Sequence, residues 1–153
     1  MAIEIERKFL VKGTPWLTWP SGCEYKQGYL SKGLHSITRV RLAGTQGYLT
    51  IKGKADGISR QEFEYMIPAS DALELLKMAQ SAIVHKTRYI REYQGHQWEV
   101  DVFHGDNEGL VVAEIELQSV NESFAVPPWL GEEVSDDRRY ANSSLSSNPW
   151  CNW

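Results

Sequence analysis

The sequence lacks the features by which secreted and membrane proteins are recognised. It contains two cysteines, Cys23 and Cys151, too few for a disulfide framework and typical of a reducing compartment. No apolar run approaches the length of a membrane span, and the N-terminus, charged from Glu4 onward, has no signal-peptide stretch. These absences predict a cytoplasmic protein without a membrane partner.

An excess of positive charge is also missing. The formal net charge is −4, whereas general nucleic-acid binders normally carry a basic excess, so we expect no nucleic-acid partner. A basic pocket inside an acidic shell stays compatible with this balance. What the chain does have is length and apolar content: 153 residues, of which 42% are hydrophobic, predict a single domain over residues 1–153 with a substantial core.

Turn signals divide most of the chain into short segments of alternating polarity, which are typical of strands. Eight strands are predicted, at residues 1–11, 24–31, 36–43, 48–54, 60–67, 85–93, 97–104 and 110–118. The spacing of Leu73, Leu76 and Ala79 predicts a helix over 72–80 that packs on the sheet, and a short helix is expected within 135–145. Because the connections are short, neighbouring strands should be antiparallel. The fold class is therefore mainly β (α+β), either a closed barrel or a two-sheet sandwich.

Like charges two residues apart recur along these strands, where positions i and i+2 lie on the same face. Acidic pairs and basic pairs both occur: Glu4/Glu6, Glu62/Glu64, Glu99/Asp101 and Glu114/Glu116, and Arg39/Arg41, Lys52/Lys54 and Lys86/Arg88. On any one strand, such a face could simply be the solvated side of a half-exposed sheet. The single sign of each strand instead favours a water-filled lumen, in which bound ions of both signs relieve the repulsion.

The two kinds of charged face suit complementary parts of one ligand. Clustered carboxylates offer the hard oxygen donors that Mg²⁺ and Mn²⁺ prefer. Arginine and lysine bind phosphate oxygens, and arginine can do so in a bidentate manner. A metal-bound polyphosphate requires both carboxylates and cations. The sequence therefore predicts a binding site for a metal-bound polyphosphate, with Mg²⁺ or Mn²⁺ as the cofactor.

The ordered set of motifs closely resembles the CYTH superfamily, also called triphosphate tunnel metalloenzymes. The resemblance spans essentially the whole chain, from the Glu-x-Glu-x-Lys signature to the tail: Glu4-Ile-Glu6-Arg-Lys8, Gln27-Gly-Tyr-Leu30, Arg39-Val-Arg41, Leu49-Thr-Ile-Lys52, Glu62-Phe-Glu64, Lys86-Thr-Arg88, Asp101, Glu114-Ile-Glu116 and Arg139-Tyr-Ala-Asn142. It implies an eight-stranded antiparallel β-barrel with a few flanking helices, whose charged side chains line a tunnel and bind triphosphate together with divalent cations.

The resemblance also implies residue roles. Basic residues would bind the substrate phosphates: Lys8, Arg39, Arg41, Lys52, Lys86 and Arg88. Carboxylates would hold the metal: Glu4, Glu6, Glu64, Asp101, Glu114 and Glu116. The catalytic set is expected to contain Glu62 or Glu116, to orient the attacking water, together with Lys8 and Lys86. Lys54 and Glu99 share the alternation but belong to no motif, so each could equally be a solvated charge at the rim.

Members of this family carry out several reactions on small-molecule triphosphates. Our preferred interpretation is an inorganic triphosphatase, which hydrolyses tripolyphosphate to pyrophosphate and phosphate, because the chain has few elements beyond the barrel that could recognise an organic group. The alternatives are a class IV-type adenylyl cyclase, a thiamine or nucleoside triphosphatase, and a non-catalytic polyphosphate-binding module. The oligomeric state stays open, a homodimer included.

Two groups of residues near the ends of the barrel leave alternatives. Trp16 and Trp19 could stack on an organic ring, but we expect them to pack on the barrel rim. Arg138 and Arg139, on the predicted C-terminal helix, are equally compatible with a contact to a terminal phosphate and with a surface salt bridge.

Overall fold

The computed structural model describes residues 3–153, and residues 1 and 2 of the predicted first strand lie outside the described residues. The strands are β1 (Ile3–Val11), β2 (Cys23–Lys32), β3 (Ser36–Ala43), β4 (Gln46–Gly53), β5 (Ser59–Ile67), β6 (Val84–Tyr93), β7 (His96–Phe103), β8 (Val111–Glu116) and β9 (Leu130–Glu133). The α-helices are α1 (Ala69–Leu76) and α2 (Asn142–Leu145). Within residues 3–153, no helix has the length and apolar character needed to cross a membrane.

Strands β1 to β8 close into an antiparallel barrel. Neighbours follow the order β5-β4-β3-β2-β6-β7-β8-β1, and β1 returns to β5, with Glu4 opposite Arg60. Tight hairpins favour this pairing: Gln94 and Gly95, at φ 44° and 87°, form a two-residue loop whose twist matches that of β6 and β7. The predicted eight-stranded antiparallel barrel is confirmed, and the sandwich is excluded.

Three segments differ from the sequence-based expectation. A ninth strand, β9, pairs with β1 and was missed because its four residues, Leu-Gly-Glu-Glu, show no alternation. Helix α1 begins directly after Pro68 and ends at Leu76 rather than at residue 80. The helix predicted within 135–145 is shortened to α2, since Ala141 is extended (φ −64°, ψ 136°) and separates α2 from a 3₁₀ turn at Arg138–Tyr140.

One apolar core lies outside the barrel wall. Outward-facing Phe9, Trp98 and Ile115 pack in a buried cluster with Leu117 and Leu130, which follow β8 in the chain. Burial of this face orients β1, β7 and β8, because alternate residues of a strand must then point the other way. Most charged residues of these strands therefore face the lumen: Glu4, Glu6, Lys8, Glu99, Asp101, Glu114 and Glu116. Arg7 points outward, where it pairs with Glu133.

A second apolar cluster fills one end of the lumen. Val84, Phe103 and Val112 stand at even spacing from the charged residues of their strands and so share the inward face. They pack with Tyr140 and Leu145 of the C-terminal segment, and all five are buried. We call this cluster the floor, because the C-terminal segment closes the barrel here and the charged part of the lumen lies beyond it.

Two glycines allow the helical layer to approach the outer face of the barrel closely. A Cβ added at Gly28 of β2 would lie 2.9 Å from Ala79 Cβ and from Ile83 Cδ1. One at Gly47 of β4 would lie 2.9 Å from Ala72 Cβ. Because such distances are too short for real carbon atoms, any larger residue would push α1 and the turn after it away from the sheet.

Candidate functional site

The lumen contains a cavity of about 280 Å³. Every predicted site residue except Asp101 lines it: Glu4, Glu6, Lys8, Arg39, Arg41, Lys52, Glu62, Glu64, Lys86, Arg88, Glu114 and Glu116. Glu99 also lines the cavity, whereas Lys54 is exposed and does not. The alternation of charge along the strands therefore does mark an inner surface rather than a solvated outer face.

Carboxylates and cations occupy opposite halves of the barrel wall. Strands β7, β8, β1 and β5 are consecutive around the barrel and form an acidic half, with the cavity carboxylates Glu99, Glu114, Glu116, Glu4, Glu6, Glu62 and Glu64. Strands β6, β2, β3 and β4 form a basic half, with Lys86, Arg88, Arg39, Arg41 and Lys52. Lys8 and Arg60 are the cations on the acidic side. An elongated ligand in the lumen would meet both signs of charge along its length.

Three carboxylates of the acidic half are close enough to share one cation. Glu6, Glu99 and Glu114 each offer an oxygen, and these three atoms lie within 4.8 Å of one another. Glu99 and Glu114 are directly opposite in the β7–β8 pairing, which forces the approach. Burial and the charge of Glu114 raise the pKa of Glu6 to about 8. Hard oxygen donors at this spacing fit Mg²⁺ or Mn²⁺.

Lys8 partly neutralises the same cluster. Its Nζ lies 2.8 Å from Glu114 Oε1 and 3.1 Å from Glu6 Oε1. Although burial acts to raise it, the pKa of Glu114 lies well below its usual value because of the charges of Lys8 and Arg88. Glu114 is therefore held ionised at neutral pH, as a metal ligand must be.

A second set of carboxylates surrounds Lys52. The Nζ of Lys52 lies 3.3 Å from Glu4 Oε1 and 3.2 Å from Glu62 Oε2. Burial and a hydrogen bond with Glu62 raise the pKa of Glu4. Burial, together with the charge of Glu4, also raises the pKa of Glu116. These groups lie where a water molecule beside the carboxylate cluster could be held by hydrogen bonds.

Asp101 is on the inner face of β7, opposite Arg88 of β6, and does not line the cavity. It is fully buried, and Arg88 binds it in a bidentate manner, with Nε to Oδ1 at 2.7 Å and Nη2 to Oδ2 at 2.9 Å. Lys86 Nζ donates to Oδ2 at 2.7 Å. Although burial acts to raise it, the pKa of Asp101 is lowered by these two cations. Its observed contacts hold Lys86 and Arg88 in place, and the metal-ligand role predicted for it stays a prediction.

Two arginines of the basic half have unused donors. Arg41 makes no salt bridge within residues 3–153; its Nε donates to Gln27 Oε1 at 2.9 Å, and its guanidinium lies over the Tyr25 ring at 4.9 Å. Burial and the charges of Arg39 and Arg88 lower the pKa of Arg41 to about 10. The Nε of Arg39 is buried without a hydrogen-bond partner in the described part of the chain. Buried donors of this kind require an acceptor, and an anion in the cavity would supply one.

The structure separates the alternatives left open for the two tail arginines. Arg139 forms a salt bridge with Asp137, at 2.7 Å between Nη2 and Oδ2, and its guanidinium lies 4.5 Å from the centre of the Trp153 ring. Arg138 instead lines the cavity. Trp19, expected at the barrel rim, packs edge-to-face against Trp129 of the outer apolar core, with ring centroids 5.4 Å apart, and does not line the cavity.

Several residues of the site could not be found from pairs of like charges. Tyr29 of β2 lines the cavity and has the inward parity but is neutral, and Asn142, which also lines it, comes from the tail, which has no alternation. Gln27 does not line the cavity, but it accepts a hydrogen bond from Arg41. All three belong to the family-like motifs, which were the available signal. Glu99 had the parity and lacked a motif.

Comparison with known proteins finds a matching domain family and similar enzymes. A CYTH domain matches residues 2–148. An inorganic triphosphatase of Acetivibrio thermocellus is 46% identical over 154 residues, covering 100% of this chain and 99% of that protein. An inorganic triphosphatase of Nitrosomonas europaea is 39% identical over 151 residues, covering 94% and 96%. A solved inorganic triphosphatase structure superposes with a TM-score of 0.64 at 36% identity, over 93% of this chain and 96% of that one.

Proposed function

The chain belongs to the CYTH domain family, and from that premise we propose that it is a divalent-metal-dependent inorganic triphosphatase. It would hydrolyse tripolyphosphate to pyrophosphate and phosphate inside the barrel. The two inorganic triphosphatases that it resembles align over nearly their whole lengths. The observation that carries the proposal is the lumen itself, which combines three clustered carboxylates with arginines, among them Arg39, whose buried Nε has no acceptor in the described part of the chain.

The carboxylate cluster is the proposed cation site. Glu6, Glu99 and Glu114 would hold one ion, and three other predicted ligands that line the cavity would supply further oxygens: Glu4, Glu64 and Glu116. Asp101 would act through Lys86 and Arg88, which occupy its oxygens. When bound, Mg²⁺ or Mn²⁺ supplies Lewis-acid chemistry, neutralising phosphate charge and making water a better nucleophile. The donor set is all-oxygen, which is the choice that these ions favour.

The basic half would bind and align the substrate. Arg39, Arg41 and Arg88 would donate hydrogen bonds to phosphate oxygens, with Lys52 at a junction with the acidic half and Lys8 within the acidic half. Phosphoryl transfer depends chiefly on positioning and on electrostatic stabilisation of the equatorial oxygens, which fixed cations provide. Lys86 Nζ would stabilise the charge that develops on the leaving phosphate. Burial lowers its pKa to about 7, so proton donation is also within reach.

Carboxylates next to the cluster would handle the attacking water. Glu62 and Glu116 both line the cavity, and either could accept a hydrogen bond from the water and turn its lone pair toward phosphorus. The bond from the water oxygen to phosphorus forms as the phosphoanhydride bond breaks, and the water proton passes to the carboxylate or to product phosphate. The lining offers little to an organic group, since Tyr29 is the aromatic residue among the described residues around the cavity.

The remaining aspects of the proposal concern the setting of the enzyme. We place it in the cytoplasm as a single domain over residues 1–153, with a small-molecule triphosphate rather than nucleic acid as its partner. Both cysteines are free and exposed, as a reducing compartment would keep them.

Phosphate release from tripolyphosphate tests the function directly. The protein would be incubated with tripolyphosphate and Mg²⁺ or Mn²⁺, with EDTA as the matched control, and orthophosphate and pyrophosphate would be measured. ATP and thiamine triphosphate in parallel reactions, with cyclic AMP assayed, separate the organic alternatives. We expect fastest release from tripolyphosphate and none in EDTA. Binding of tripolyphosphate without phosphate release would overturn the hydrolase proposal in favour of a binding module.

A further inference from the structure

The tail brings the polar side chain of Asn142 into the charged cavity near the floor. Asn142 is the first residue of α2, and it lines the cavity beside the basic half. Its Oδ1 accepts a hydrogen bond from Lys86 Nζ at 3.0 Å and another from Gln27 Nε2 at 3.0 Å. A single amide oxygen thus joins β2, β6 and the C-terminal segment.

These contacts leave Lys86 one free direction. An ammonium group has three N–H donors. One is directed to Asp101 Oδ2 at 2.7 Å and one to Asn142, and the side chain is 1% exposed. Since Lys86 lines the cavity, its third donor is the one available to a ligand there.

The other branch reaches Arg41 through Gln27. Gln27 is fully buried, and its Oε1 accepts from Arg41 Nε at 2.9 Å. Because arginine can only donate, Oε1 must face Arg41, and Nε2 must face Asn142. Asn142 must then present Oδ1, since both of its partners donate. The donors therefore converge on Asn142 Oδ1 from two sides. Arg41 donates to Gln27 and Gln27 donates to Asn142, whereas Lys86 donates both to Asn142 and to Asp101.

We propose that Asn142 is a positioning residue for the substrate, which fixes Lys86 directly and Arg41 through Gln27 so that their free donors face the same stretch of the cavity. This inference rests on the triphosphatase function proposed above. The C-terminal segment is then part of the active site as well as part of the floor.

The surroundings of Asn142 support a positioning role over a capping role. The side chain makes no helix-capping hydrogen bond, because Ala141 occupies the cap position of α2. The helix is secured independently: Lys32 Nζ donates to Ser143 O at 3.3 Å and to Ser146 Oγ at 3.1 Å, and Leu145 is buried in the floor. The amide of Asn142 is therefore free to serve the cavity.

Matched substitutions distinguish the effect of the hydrogen bonds of Asn142 from the effect of its side-chain shape. Asn142→Leu keeps the approximate shape and removes both acceptor contacts, whereas Asn142→Asp keeps an acceptor oxygen for Lys86 and Gln27. Asn148→Leu, an exposed asparagine of the same tail, is the control. For each variant we would measure kcat and KM for tripolyphosphate with Mg²⁺, together with the melting temperature, and repeat Asn142→Leu in a Lys86→Met background.

We expect Asn142→Leu to lower kcat/KM by about 10- to 100-fold, the range for hydrogen bonds to charged groups. Asn142→Asp should restore kcat while KM stays raised by its added negative charge, and the control should behave as wild type. In the Lys86→Met background, most of the effect of Asn142→Leu should disappear.

Three results would overturn the positioning role: wild-type kinetics in Asn142→Leu, equal losses of kcat in the Leu and Asp variants, or fully additive losses with Lys86→Met. Wild-type protein that releases no phosphate would instead overturn the proposed function. The same variants would then be compared by calorimetric binding of tripolyphosphate, where Asn142→Leu must still weaken the affinity for the inference to stand.

Discussion

Arg41 lines the cavity without a salt-bridge partner in the described part of the chain. Its guanidinium is buried beside two other arginines and has Gln27 as its hydrogen-bond acceptor. A bound triphosphate would offset this repulsion, so Arg41→Ala should weaken tripolyphosphate binding by roughly 10- to 100-fold, as loss of a charge-assisted hydrogen bond does. Titration calorimetry in EDTA measures the affinity without turnover.

Lys54 provides the control for this prediction. It stands two residues from Lys52 in the sequence alternation, yet it is exposed and does not line the cavity. Lys54→Ala should leave the affinity for tripolyphosphate unchanged. If Arg41→Ala binds as tightly as this control, Arg41 takes no part in substrate binding.

Glu6 should link stability to both pH and the cation. Its folded-state pKa of about 8 exceeds the usual 4.5, so its stabilising contribution is present at low pH and is lost as the pH rises toward 8. In EDTA above pH 8, Glu6→Gln should therefore melt at a higher temperature than wild type, with the difference vanishing toward pH 4.5. Added Mg²⁺ should reverse the order, because the amide cannot replace the anionic ligand. Thermal melts with Glu132→Gln, an exposed tail carboxylate, as the control would reveal a general charge effect.

Among the elements, β9 is joined to β1 by a salt bridge between two residues that are far apart in the sequence, Arg7 and Glu133. Glu133 accepts from Arg7 in a bidentate manner, with Nε to Oε2 at 2.8 Å and Nη2 to Oε1 at 2.6 Å. The hydrogen bond from Arg7 lowers the pKa of Glu133, so its contribution is present at neutral pH and is lost as the pH falls through that lowered pKa. Because the pair is partly exposed, Glu133→Gln should reduce the free energy of unfolding by about 0.2–1 kcal/mol. Urea denaturation at neutral and acidic pH checks this, and a difference that persists in acid would contradict it.

The elements also show how far sequence patterns reach. β3 was predicted with its observed bounds, because Arg39 and Arg41 alternate with apolar residues over the whole strand. β9 could not be predicted, since it exists through pairing with β1 and through the close packing of Gly131, whose added Cβ would lie 2.9 Å from Leu10 O. Such contacts join residues far apart in sequence and leave no local period.

The residues of the candidate site likewise fall into those that strand alternation predicts and those that it does not. Strand parity places Glu6 and Glu114 on the inner face, but it says nothing of depth, so it could not distinguish Asp101, whose oxygens are occupied by Lys86 and Arg88, from Glu99, which reaches the cavity. Asn142 depends on where the tail folds, which no strand pattern records.

At the scale of the whole molecule, the floor links the stability of the fold to the geometry of the cavity. Leu145 is 1% exposed in the floor cluster and follows Asn142 by less than one helical turn. Leu145→Ala should reduce the free energy of unfolding by about 2–5 kcal/mol, the usual penalty for a buried leucine cavity. It should also lower kcat/KM, because α2 then holds Asn142 less firmly. Denaturant melts and kinetics on the same samples test both effects. Leu34→Ala, at a site 79% exposed, is the control and should change neither.

The floor also affects how substrate enters the barrel and how products leave it. Because Phe103, Val112 and their neighbours fill one end of the barrel, we expect both hydrolysis products to leave along the route by which the substrate arrived. Incoming tripolyphosphate would then compete with the departing products for the same passage.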